Sequence, residues 1–106
     1  MSRVFEERVA MITGASQGIG ESIAQRLASE GCNLILASRR QEACEEVGSV
    51  LAGEDIETLA VGMDVGNLDS VVASVDEALE RFGHIDFLVN NAGIVIVQDF
   101  LDIKEE

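Results

Sequence analysis

The sequence predicts an α/β protein, a doubly wound parallel sheet covered on both faces. Three observations carry that prediction. Short apolar runs alternate with longer segments in helical spacing, an order that implies βαβ units joined by right-handed crossovers. The apolar runs are nearly continuous rather than alternating, as in strands buried on both faces. With 106 residues, 47% of them hydrophobic, and a mean hydropathy of +0.22, the chain has material for one core, so residues 1–106 form a single domain and disorder is ruled out despite 20 acidic residues.

Arg8 to Thr13 reads as the first strand, ending at Gly14. Ile19, Ile23 and Leu27, with Ala24 and Ala28, then recur at helical spacing as far as Gly31. Asn33 to Ala37 is the second strand, and Gln41 to Leu51 a helix with Cys44, Val47 and Leu51 on one side. Thr58 to Met63, interrupted by Gly62, gives a weaker third strand. Leu68, Val71, Val72, Val75, Leu79 and Phe82 form the clearest helical stripe, stopping at Gly83. Ile85 to Val89 is the fourth strand and leads into Asn90-Asn91-Ala92-Gly93, with an apolar continuation from Ile94 to Val97.

A net charge of −13 with a pI near 4.2 repels polyanions, and seven scattered cationic residues form no patch for nucleic acid or anionic lipid. No segment approaches the ~20 apolar residues of a membrane span, and the N-terminal residues lack the apolar run of a signal peptide, so a cytoplasmic protein is expected. Cys32 and Cys44 are expected to stay reduced in such a compartment. His84, the sole histidine, reads as a turn residue rather than a metal ligand. The acidic stretches Glu42–Glu46, Asp76–Glu80 and Asp102–Glu106 read as solubilising helix faces.

Thr13-Gly14-Ala15-Ser16-Gln17-Gly18-Ile19-Gly20 occupies the first strand-to-helix junction, where a parallel sheet binds phosphates. Gly14 permits the turn, Gly18 lets backbone amides approach a pyrophosphate, and Gly20 permits close helix–sheet packing. Free amides and the positive end of the helix dipole would hold the anion. A glycine-rich turn without a ligand is the alternative. No lysine follows the glycines, which excludes a P-loop. The T-G-x-x-x-G-x-G spacing resembles the first signature of the short-chain dehydrogenase/reductase family, and Asn90-Asn91-Ala92-Gly93 resembles its second, N-N-A-G. Asp64-Val65 looks like that family's adenine-pocket acid and its neighbour.

That resemblance spans Val4 to Glu106. It implies a Rossmann-type dinucleotide-binding domain with about four strands in the order 3-2-1-4, incomplete as a sheet. It implies a cofactor site from Gly14, Ser16, Gln17, Gly18, Ile19 and Gly20, from Asp64 and Val65, and from Asn91, Ala92, Gly93 and Ile94. Asn90 would instead tie the fourth strand to its neighbours. Asp86, like Asp64, has a place in the pattern without acid–base chemistry.

The residue about 20 positions past the glycines separates NAD from NADP in dinucleotide folds. Here the second strand ends Ala37-Ser38-Arg39-Arg40, with no acid and two guanidiniums, so NADP(H) is favoured over NAD(H). Arg39 is the main expected partner of the 2′-phosphate, with Ser38 an added donor and Arg40 beside it. Charge-assisted bonds of roughly 1.5–3 kcal/mol would give about a ten- to hundredfold preference. Alternatively both arginines are a solvated pair answering Glu42, Glu45 or Glu46, and Gln17 stands where NADP-preferring relatives often carry a basic residue.

The resemblance further implies hydride transfer between a nicotinamide and a small carbonyl or alcohol substrate, using a serine and a Y-x-x-x-K pair beyond N-N-A-G. The sequence contains no tyrosine, and Lys104 is its only lysine, so no catalytic residue is assigned. Asp102-Ile103-Lys104-Glu105 has the form of a helix start, and a helix cannot persist within one turn. The chain is therefore expected to be the N-terminal part of a longer oxidoreductase, inactive alone, with the fourth strand an open edge and the complete protein a homo-oligomer. A non-catalytic dinucleotide-binding or interaction module is the alternative. A methyltransferase-like domain would share the glycine turn but leave N-N-A-G unexplained.

Overall fold

The structure, a computed structural model, describes residues 4–16, 18–51, 53 and 55–91. Within them seven elements alternate: β1 (Val9–Thr13), α1 (Gly18–Ser29), β2 (Asn33–Ser38), α2 (Gln41–Leu51), β3 (Thr58–Gly62), α3 (Leu68–Phe82) and β4 (Phe87–Val89). The strands form one parallel sheet, as the sequence pattern predicts, in the order β3-β2-β1-β4 that the family resemblance implies. The four C-terminal strand ends therefore lie along one edge of the sheet, where a crossover reverses direction between β2 and β4 on either side of β1.

Period-two alternation along the strands builds a core on each face. Ala10, Ile12, Leu34 and Leu36 pack with Ala24 and Ala28 of α1 and with Cys44, Val47 and Leu51 of α2. Val9, Met11, Ile35, Ala37 and Val61 pack with Val71, Val75 and Ala78 of α3 on the other. All five residues of β1 are buried, which accounts for an apolar run without alternation.

Two expectations about packing need correction. Ile19 and Leu68 fit the spacing of their helical stripes but are 71% and 59% exposed. Both sit in the first turn of a helix. α1 also ends at Ser29 rather than Gly31, because the chain tightens into bonds from Glu30 N to Leu27 O and from Gly31 N to Ala28 O, with Gly31 at φ 90°.

Cys32 and Cys44 are both buried and free. Burial pushes the Cys32 thiol up to about 11, reinforced by the Asp86 charge, and burial also raises Cys44. Both are neutral core thiols at physiological pH. Among the described residues no helix is long and apolar enough to cross a membrane. The expected helix start at Asp102-Ile103-Lys104-Glu105 lies outside them.

Candidate functional site

The turn after β1 is shaped by two left-handed glycines, Gly14 at φ 63° and Gly18 at φ 61°. A side chain at Gly18 would enter open space, so its requirement is conformational. Gly20 answers to a different constraint. A Cβ there would stand 2.8 Å from Asn91 Nδ2 and closer still to the Gly14 carbonyl. The third glycine thus lets α1 approach both its own preceding turn and the segment after β4.

Thr13 binds the two signature segments together. It is 2% exposed, and its hydroxyl accepts from Asn91 N at 2.9 Å. Its single proton faces two acceptors, Asn90 Oδ1 at 3.3 Å and the Val89 carbonyl at 3.4 Å. Asn91 Nδ2 in turn donates to the Gly14 carbonyl at 3.4 Å. Asn90 does tie strand four to its neighbour through its side chain. The sequence reading missed Thr13, although a buried hydroxyl closing an apolar strand was a signal that it had a partner.

Beside the turn, the ends of β2 and β3 enclose a cleft of about 300 Å³ lined by Gly14, Ser16, Ala37, Ser38, Arg39, Arg40, Met63 and Val65. Six of these were expected from the sequence. Ala37 and Met63, fully or almost fully buried, form apolar walls that the motifs did not mark. Asp64 lines an adjoining cleft of about 400 Å³ with Arg39, Gly62, Met63 and Ser70. Gly18, Ile19 and Gly20 open α1 next to the turn, and Asn91 meets Gly14. Gln17, Ala92, Gly93 and Ile94 lie outside the described residues.

Ala15, Ser38 and Asp64 are held by local hydrogen bonds, and the two arginines by looser ion pairs. Ala15 N donates to the Ala37 carbonyl at 3.2 Å, fastening the turn to β2. Ser38 Oγ accepts from Arg40 N at 3.2 Å and from Cys44 Sγ at 3.2 Å, and donates to the Arg40 carbonyl at 3.0 Å. Arg40 Nε lies 3.6 Å from Glu42, and Arg39 Nη2 lies 3.6 Å from Asp64 Oδ1. The Asp64 carboxylate also accepts from Gly66 N, and its own N–H donates to Ser70 Oγ. The arrangement offers a turn with two left-handed glycines leading into the N-terminus of α1, two exposed guanidiniums and apolar walls. Those are the features that a dinucleotide with its phosphates requires.

Outside the cleft, Asp86 links the approach to β4 with β1. Its carboxylate accepts from Val9 N at 2.8 Å and lies 3.4 Å from Arg8 Nη1 and 3.1 Å from His84 Nε2. The Val9 N–H is the main cause holding its carboxyl below the ordinary range, with His84 and Arg8 adding to it against partial desolvation. His84 lies between α3 and β4, as a turn residue should.

Residues 8–106 match the family model described as short chain dehydrogenase. The oxidoreductase UcpA of Salmonella typhimurium is 48% identical over 99 residues, covering 93% of this chain and 37% of that protein. An NAD⁺-bound xylitol dehydrogenase superposes with a TM-score of 0.81 at 36% identity, over 86% of this chain and 35% of the other. A metagenomic short-chain oxidoreductase in complex with NADP gives 0.79 at 34%, over 85% of this chain and 41% of the other. The chain thus spans little more than a third of the length of the relatives it matches. With both glycine and asparagine signatures joined through Thr13 at one edge of a 3-2-1-4 sheet, and a family match over nearly its whole length, the chain belongs to the short-chain dehydrogenase family.

Proposed function

We propose that the chain is the cofactor-binding part of an NADP(H)-dependent oxidoreductase that interconverts a carbonyl and an alcohol. The observation that carries this reading is the end of β2. Ser38, Arg39 and Arg40 line the cleft next to the glycine turn, and the strand ends in Ser38-Arg39-Arg40 with no acid at that position to receive ribose hydroxyls. Solved relatives include one bound to NAD⁺ and one bound to NADP, so the choice between them rests on these side chains.

In this reading the amides from Gly18 through Gly20 hold the pyrophosphate at the start of α1. Arg39 pairs with the 2′-phosphate, with Arg40 and the Ser38 hydroxyl beside it. Asp64 and Val65 bound the adenine side. By the family resemblance Asn91, Ala92, Gly93 and Ile94 are assigned to the nicotinamide side of the cofactor, and Gln17 and Ile19 to its phosphates. When bound, the nicotinamide supplies or accepts the hydride. The overall charge of −13 opposes an anionic cofactor, but screening over about 8 Å leaves the local guanidiniums dominant.

The proton donor for such a reaction is proposed to come from outside these 106 residues, since the sequence holds no tyrosine and one lysine. The reading includes a cytoplasmic location, a small carbonyl or alcohol substrate, and a complete protein that self-associates. The missing tyrosine favours one second reading, a dinucleotide-binding or interaction module without catalysis. Calorimetric titration with NADPH and NADH separates the cofactor question. NADPH should bind more tightly, and Arg39→Ala should lose about tenfold or more of NADPH affinity while leaving NADH little changed. Equal binding of the two cofactors by folded chain, unaffected by the substitution, would refute the NADP(H) assignment. Retained binding without turnover, even when a catalytic Tyr and Lys are supplied on the remaining polypeptide, would favour the second reading.

A further inference from the structure

We propose that Asp64 is a specificity-determining residue that competes with a ribose 2′-phosphate for the guanidinium of Arg39. The inference rests on the cofactor reading above and concerns how that site is tuned. Arg39 lines both clefts at the end of β2, whereas Asp64 lines only the one further from the glycine turn. The arginine is therefore a wall shared by the two clefts, paired with Asp64 in the cleft that the glycine turn does not line.

The two partners differ in freedom. Asp64 is anchored at its backbone by Ser70 Oγ at 2.9 Å and at its carboxylate by Gly66 N at 3.0 Å. Arg39 is 79% exposed at its side chain and touches Asp64 only at 3.6 Å, beyond the 2.7–2.9 Å of a tight charge-assisted bond. The acid stays and the arginine can leave. A phosphate monoester brings more charge and more free acceptor oxygens than a carboxylate already occupied by Gly66, so it should win the guanidinium. Asp64 then lowers the affinity for 2′-phosphorylated cofactors while leaving their unphosphorylated counterparts with an undisturbed ion pair. The other arginine does not share this competition, since it faces Glu42.

Adenosine 2′,5′-bisphosphate and 5′-AMP differ by the 2′-phosphate alone, so any contact to adenine cancels in the ratio of their affinities. That ratio should rise about two- to fivefold in Asp64→Asn, the scale of an exposed ion pair. The same substitution made in an Arg39→Ala background should leave the ratio unchanged. A gain that persists without the arginine would mean simple repulsion between Asp64 and the phosphate, and would overturn the proposal. So would an unchanged or lower ratio in Asp64→Asn while Arg39→Ala lowers it, a result that leaves the cofactor reading standing. If Arg39→Ala does not lower the ratio, or if folded chain binds neither nucleotide, the cofactor reading fails and the proposal with it. In the unmodified chain, the Arg39 Nε–Hε resonance should shift with the bisphosphate and stay in place with 5′-AMP; equal shifts would contradict the competition whether or not the variants fold.

Discussion

Gly20 shows how a single residue ties fold to site. A methyl group there would press on the Gly14 carbonyl, which is backbone and cannot swing aside, and on Asn91 Nδ2 at 2.8 Å. Gly20→Ala should therefore destabilise the chain by about 1–3 kcal/mol, the cost of overpacking a tight contact. Urea unfolding followed by circular dichroism would measure it, and an unchanged midpoint would show that the turn yields. The need for glycine was legible in the motif spacing, but the partner was not. Sequence reading assigned Gly20 to helix–sheet packing, whereas the close neighbours are the preceding turn and the asparagine after β4. Thr13 was overlooked for the same reason, since its bonds to Asn90 and Asn91 span 77 and 78 positions and exist only once β1 pairs with β4. Ile19 was misjudged in the opposite direction, because periodicity locates a face of a helix but not where the core beneath that face begins.

At the scale of elements, legibility followed the strength of local signals. α3 occupies Leu68–Phe82, the span its apolar stripe predicts, because both ends are chemically marked. Asn67 caps the start by accepting from Ser70 N at 3.1 Å, and Gly83 at φ 82° closes the end with its N–H on the Leu79 carbonyl. Asn67→Ala should cost about 1 kcal/mol of stability, measurable as a lower urea midpoint with unchanged slope. β4 was less legible. The apolar run suggests a start at Ile85, but pairing with β1 begins at Phe87, opposite Ala10. Asp86 is occupied instead by a reciprocal attachment to Val9, its N–H donating to the Val9 carbonyl and its carboxylate accepting from Val9 N. β3 similarly stops at Gly62 while Met63 N still bonds the Ser38 carbonyl. Strand ends depend on partners elsewhere in the chain, and helix ends largely on their own residues.

For the molecule as a whole, Asp86 joins segments far apart in sequence and makes stability depend on pH. The Val9 N–H, followed by His84 and Arg8, depresses its pKa in the folded state. Its contribution is therefore present above the unfolded-state value near 3.9 and is lost as pH falls through that value toward the lower folded one. The urea midpoint should drop as pH is lowered from about 5, and Asp86→Asn should lower the midpoint at neutral pH while flattening that acid slope. An identical slope in the variant would assign the acid sensitivity to other carboxylates.

The parallel sheet was legible in the alternation of strands and helices, which implies βαβ crossovers, whereas its order 3-2-1-4 came from the family resemblance. The two-sided core followed from the continuous apolar strands. What could not be read was how Arg39 would be held, since a guanidinium beside a motif and one paired across a cleft look the same in a sequence. The central claim is that the two signature segments and the end of β2 form one dinucleotide site. Amide chemical-shift mapping during an NADPH titration tests it most directly. Shifts should concentrate at Gly14–Gly20, Ser38–Arg40, Asp64–Val65 and Asn91, with little change along the outer surfaces of α2 and α3. Shifts scattered away from those segments, or none in a folded chain at saturating NADPH, would contradict it.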